Sequence, residues 1–185
     1  IFKTAEKLRK AGSPYGFITL GSAMVFTVHA YISAGGMSKR KATEDFYFLQ
    51  EVVKSTSVTP IPEKLVYPSA RESGRVYLGT GFRMLQVIQG LDLDSLHYTD
   101  ISFEILQKWL NLAEKCWKQS IKRLLLDTDR INIKLTDFLI QEGIKDKWMG
   151  LQKSAQTQTQ YIKQFHRWFD GLKTHRLLKY FSRHL

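Results

Sequence analysis

Residues Tyr15 to Gly36, YGFITLGSAMVFTVHAYISAGG, form the core of the longest stretch of this chain without a charge. Lys3, Lys7, Arg9 and Lys10 precede it, and Lys39, Arg40 and Lys41 follow it. Such a stretch admits three structures: a membrane span, a β-element or a buried helix. Its length is about that of a span, roughly 20 residues. Its content argues otherwise. Gly, Ser, Thr and His interrupt it throughout, and cations on both sides give no orientation signal. From Met24 onward Phe26, Val28, Ala30 and Ile32 alternate with Thr27, His29 and Tyr31. Period two with β-branched and aromatic residues predicts a strand. Phe17 to Leu20 reads as a second short strand, with Gly21-Ser22 turning between them. A β-element is therefore expected, with the span and the buried helix as its alternatives.

Gly35-Gly36 would break the strand, and Ser38 fits a helix N-cap. Ala42, Phe46, Leu49 and Val53 then mark one helical face. This places Lys39, Arg40 and Lys41 in the first turn, against the positive end of the helix dipole, at a few tenths of a kcal/mol (~0.3) each. An anionic ligand would account for them; solvated surface cations are the plainer account. Ser55 to Pro62 reads as an extended proline loop. Leu65 to Tyr67 and Val76 to Leu78 are short strand candidates, and Gly79-Thr80-Gly81 a strand-to-helix turn before a helix at Phe82 to Gln89.

From Asp100 the chain reads as helical. Phe103, Leu106, Trp109, Leu110, Ala113, Cys116, Trp117, Ile121 and Leu124 form one continuous apolar pattern, capped by Thr99 or Asp100. A second segment runs from Asp127 to Gln141 and closes at Glu142-Gly143. A third runs from Lys147 to Phe181, with Gln156 to Gln160 as an exposed turn or interruption and a kink or break near Gly171. At the other end, Phe2, Ala5 and Leu8 predict a short helix stopped by Gly12-Ser13-Pro14, with no signal-peptide pattern.

Lys and Arg number 28 against 17 Asp and Glu, a formal charge of +11. The natural partner is a polyanion. The C-terminal segment interleaves Lys163, Arg167, Lys173, Arg176, Lys179 and Arg183 with Phe165, Trp168, Phe169 and Tyr180. Cations with aromatics suit single-stranded nucleic acid, but the helical spacing assigns those aromatics to a core or a dimer interface. Three of the five histidines, His166, His175 and His184, lie here and read as added positive surface; His97 stands beside Asp94 and Asp100. No nucleophile–base pair is legible, so an enzyme is not expected, nor a cofactor. Cys116 is the one cysteine, read as a buried thiol; no disulfide or metal site is expected, and the reducing cytoplasm is the expected compartment.

A two-stranded β-ribbon fits the DNA major groove, one strand coming from each copy of a two-fold dimer. Thr27, His29 and Tyr31 would then face the bases, and Lys39, Arg40 and Lys41 the phosphates. An internal strand with both faces covered is the alternative. The segment Val25 to Tyr31, with the basic residues after Gly36, resembles the ribbon-helix-helix regulators, and more narrowly the AcaB-like transcriptional regulators of plasmids and integrating conjugative elements. The resemblance implies a dimeric double-stranded DNA-binding transcription regulator. The expectation is thus an α+β, predominantly helical fold in an intertwined dimer. Residues 1–60 would form the strand-plus-helix DNA-binding region, and 61–185 a mainly helical core and dimerisation region of one continuous domain. Its alternatives are an accessory subunit anchored through 15–36 and a basic RNA- or single-strand-binding module.

Overall fold

A computed structural model describes residues 2–19, 23–40, 42–61, 63, 65–67, 85–90 and 97–184. The chain divides into two units: Phe2–Gly16 with Tyr98–Leu185, and Phe17–His97. Every regular element among the described residues is helical. The expected α+β class with an N-terminal β-ribbon is therefore overturned.

The helical unit begins with α1 (Phe2–Lys10), which buries Ala5 and Leu8. It stops as the sequence predicts. Gly12 is left-handed (φ +84°), and the Gly12 and Ser13 amides donate to the Arg9 and Leu8 carbonyls at 2.9 and 3.0 Å, the double closure of a Schellman cap. The chain then lays Tyr15 into the core, 2 % exposed, where its hydroxyl donates to the His166 carbonyl. At Gly16 a Cβ would stand 2.8 Å from the Ala5 carbonyl oxygen, so the backbone passes α1 where only glycine fits.

The centre is α2 (Asp100–Lys115), which buries Phe103, Leu106, Trp109, Leu110 and Ala113. The apolar pattern after it does not continue one helix. Ser120 caps a new one, α3 (Ile121–Ile131), its Oγ accepting from the Arg123 amide at 3.3 Å. Asn132 ends α3 and caps α4 (Ile133–Gln141), accepting from the Lys134 amide at 2.9 Å. Gly143 (φ +82°) separates α4 from α5 (Ile144–Lys153). The predicted long C-terminal segment is thus α5, α6 (Gln158–Trp168) and α7 (Gly171–His184). Thr157 caps α6, and Asp170 accepts from the Lys173 amide at 3.1 Å at the head of α7. The breaks expected around Gln156 and Gly171 lie at those two caps. Trp109 meets Phe165 and Phe169 at ring-centroid distances of 5.6 and 5.8 Å. Tyr161 donates to the Ala113 carbonyl at 2.8 Å. Cys116 is buried, as read.

The Phe17–His97 unit holds α8 (Val28–Ser33) and α9 (Glu44–Ser55), which pack together, and one helical turn at 85–88. Residues 24–32 form no strand. Thr27 caps α8, its Oγ1 accepting from the Ala30 amide at 3.1 Å. Gly35 (φ +76°) stops it, with Gly35 and Gly36 amides donating to the Ile32 and Tyr31 carbonyls, both at 2.9 Å. A cap at one end and a Schellman closure at the other define a helix of two turns, and those local signals outweigh a short alternation. The predicted faces also change. Val28 and Ile32, expected in the core, are 76 % and 69 % exposed. Tyr31, expected outward, is 38 % exposed, but its ring stacks on Phe26 at 5.5 Å and lies 5.7 Å from Phe48. The described part of the stretch holds no buried helix, and among the described residues no helix is long and apolar enough to cross a membrane. Residues 17–19 and 65–67 are not strands. Leu20 to Ser22, Val76 to Leu78 and Gly79 to Gly81 lie outside the described residues.

Candidate nucleic-acid interface

The described members of the predicted contact set do not lie along one strand face. Thr27 is spent on the α8 cap, and His29 and Tyr31 lie on two turns of helix rather than on one side of a strand. Ser38 caps nothing: α9 begins six residues later, at Glu44, with Glu44 and Asp45 in its first turn. The unfavourable dipole placement inferred for Lys39, Arg40 and Lys41 is therefore corrected, because acids occupy that turn. Arg40 lies 3.9 Å over the Tyr47 ring and donates from Nε to Ser38 Oγ at 3.1 Å. Lys39 is exposed, and Lys41 lies outside the described residues. Arg40 and Tyr47 line an open hollow of about 210 Å³ with Gly35, Gly36 and Glu51. That is below the ~300–1,000 Å³ of ligand clefts, so it makes no case for a small molecule.

The charge lies elsewhere. Residues 2–16 and 98–185 hold twenty Lys and Arg against ten Asp and Glu, a net of +10. Residues 17–97 hold eight against seven, a net of +1. In the helical unit several acids are already engaged. Asp127 takes Arg123 and Arg130 at 3.1 and 3.0 Å, Glu142 takes Lys173 and Arg176 at 3.5 and 3.3 Å, and Asp100 takes Lys7. Lys108, Lys115, Lys122, Lys145, Lys147 and Lys179 are exposed, with no carboxylate at ion-pair distance among the described residues. They stand on α2, α3, α5 and α7, outside faces whose inner residues build the core.

Two of the histidines read as positive surface are corrected. His166 and His175 are largely buried. Burial pushes the His166 imidazole below its ordinary value, against the pull of Glu114 at 3.4 Å. Burial alone pushes His175 down, beside Tyr98 Oη at 3.3 Å. Both lean toward the neutral form and add little to the field. Burial likewise raises the Tyr98, Tyr161 and Cys116 groups, keeping them protonated. The aromatics offered as a stacking platform are mostly interior: Phe165 and Phe169 are fully buried, and Trp168 and Tyr180 pack against the core. Among the described residues no three His, Cys, Asp or Glu side chains converge on a metal position.

What sequence reasoning missed is the cation set on α5, Lys145, Lys147 and Lys153. The signal was the pair Ile144 and Trp148, four apart, which turns the intervening lysines outward. No protein-family model, curated protein or solved structure matches the chain.

Proposed function

We propose that this protein binds double-stranded DNA through the basic outer surface of its helical unit and acts by binding, as a regulator, rather than by catalysis. The observation that carries the reading is the concentration of charge: +10 of the chain's +11 falls on residues 2–16 and 98–185. Exposed cations without local partners are what phosphates attract. Helices present them, and an α-helix fits the major groove of a duplex. The same surface offers few free aromatic faces for unstacked bases, since Phe165, Phe169 and Tyr161 are interior. A duplex is therefore favoured over a single strand. A single buried cysteine supports the cytoplasm as its compartment. A homodimer is no longer required by a shared ribbon; in this proposal it would arise from two copies on a two-fold site.

The test is fluorescence anisotropy with a labelled duplex and its single strand across a salt series. Binding should favour the duplex and weaken by on the order of a thousandfold between ~50 and ~200 mM salt if six or so phosphates are engaged. No duplex binding at the low-salt end overturns the reading. Sedimentation of the complex reports its stoichiometry.

A further inference from the structure

Helices α3, α4 and α5 form a three-helix group in which each packs against the other two. The first corner is a single residue, Asn132, with extended backbone (φ −170°, ψ 130°). Beside it the buried Thr128 and Thr136 hydroxyls meet at 2.8 Å and fix the α3–α4 pairing. The second corner is Glu142-Gly143, with Gly143 left-handed at φ +82°. A short glycine turn between two packed helices is the connection of the helix-turn-helix arrangement, whose second helix reads DNA.

The second helix, α5, is held firmly on one side and free on the other. Ile144 and Trp148 are 0 % and 1 % exposed. The Trp148 indole donates to the Gln119 carbonyl at 2.9 Å, and the Gln152 amide donates to the Gln119 and Trp117 carbonyls. These bonds lock the helix against rotation about its axis. Its exposed side carries Asp146, Met149 and Lys153 opposite the core and Lys145 and Lys147 on its two flanks, all exposed and without an ion pair among the described residues. Glu142, the acid at the turn, is neutralised by Lys173 and Arg176. A rigid inner face and an unpartnered polar outer face are what base-edge readout requires.

We propose that α5 is the helix that enters the major groove, with Lys145 and Lys147 at the base edges, which rests on the duplex-binding reading above. Lysine donates to guanine O6 and N7. Asp146 accepts from cytosine N4, and Met149 gives an apolar surface to a thymine methyl. The lysines on α2 and α7 then hold phosphates, which carry no sequence.

The experiment is selection from a randomised duplex pool with the full chain. The enriched duplex and a scrambled duplex of equal composition are then titrated against three proteins: wild type, Lys145→Ala/Lys147→Ala and Lys108→Ala/Lys115→Ala. The α5 variant should lose about tenfold or more of its preference for the enriched duplex. The α2 variant should weaken both duplexes alike and keep the preference. A Lys147→Arg variant, which keeps a cationic donor to guanine O6 and N7, should retain the preference for the enriched duplex. An α5 variant that weakens both duplexes equally, or not at all, overturns the assignment, as does a pool that enriches no sequence. Duplex binding without preference removes this inference alone; no duplex binding by the wild type removes the functional reading as well. Circular dichroism on each variant separates lost recognition from lost folding.

Discussion

Among the described residues, the helical unit and the 17–97 unit differ in how deeply they bury their apolar residues, the latter burying Phe48, Leu49 and Val52. The charged unit has the deep core: Trp109, Trp148, Tyr161, Phe165, Phe169 and Phe181 are at most 1 % exposed. The nearly neutral unit leaves Val25, Val28 and Ile32 at 93 %, 76 % and 69 %. Lack of charge in Tyr15 to Gly36 thus did not mean burial; the stretch is even divided, with Tyr15 and Gly16 in one unit and the rest in the other. The difference lies in periodicity. Amphipathic helices place lysines outward because the same spacing places aromatics inward. A high cation count and a large core therefore come from one pattern, and charge is available for ligands without weakening the fold.

The largest effect that would sharpen this contrast is in the core. Trp109→Ala removes a ring packed on Phe165 and Phe169 and should cost about 3–5 kcal/mol in urea denaturation. Val28→Ala on α8 should change stability by less than ~0.5 kcal/mol. Equal losses from the two would erase the distinction between the units.

The next effect tests how tightly the amino-terminal segment is fitted. A methyl at Gly16 would meet Arg9 Cγ at 2.5 Å, the Ala5 carbonyl oxygen at 2.8 Å and the Arg9 amide nitrogen at 2.9 Å. The arginine methylene can move; the helix backbone cannot. Gly16→Ala should destabilise by about 1–3 kcal/mol, read as a lowered thermal midpoint. Gly35 has open space around its Cβ position and only its positive φ to lose, so Gly35→Ala should cost less, about 1 kcal/mol. A neutral Gly16→Ala would mean that α1 does not hold its place against the chain that passes it.

Acid should act on the helical unit through His166 and His175. Both imidazoles are held below 6.5 in the folded chain. As the pH falls below that value, the unfolded chain binds protons that the folded chain refuses. Stability should therefore fall with pH between 6.5 and the depressed folded values, by at most about 1.4 kcal/mol per pH unit for each group. Above that window neither histidine contributes a slope. Urea midpoints of the wild type and of a His166→Gln/His175→Gln variant measure it. A variant with the same slope as the wild type would place the proton uptake elsewhere.

Much of the helical unit was legible because its signals are local. Phe2, Ala5 and Leu8 gave α1, and Thr99 and Gly143 marked real helix boundaries. Two breaks were hidden. The apolar stripe runs on through Trp117, Ile121 and Leu124, so only the Ser120 cap betrays the end of α2, and Asn132 looks polar rather than extended. The strand was misread because the seven alternating residues 26–32 also carry a Thr cap and a Gly-Gly stop, and the caps prevailed. The charge distribution was out of reach for another reason. It depends on residues 2–16 joining 98–185, a contact between distant parts of the chain, as when Gln107 donates to the Lys10 carbonyl at 3.1 Å. Burial of His166 and His175 depends on tertiary packing in the same way.

The smallest effect has the opposite sign and tests the quality of local closure. In the helical unit Ser120, Asn132 and Thr157 each accept a hydrogen bond from the first turn of the helix they cap. In the other unit α9 is preceded by Thr43, which is left-handed at φ 64° and makes no capping bond. Its hydroxyl is turned to the Ala42 carbonyl at 2.6 Å instead. A β-branched residue there carries a cost of about 1–2 kcal/mol that glycine would not. Glycine also loses more freedom on folding, roughly 0.5–1 kcal/mol, which offsets part of the gain. Thr43→Gly should therefore stabilise the 17–97 unit by up to about 1 kcal/mol, while Ser120→Ala in the helical unit should destabilise by about 1 kcal/mol. Opposite signs in urea denaturation would show that the start of α9 is strained where the start of α3 is capped. A destabilised Thr43→Gly variant would mean that the threonine is held by contacts that repay its strain.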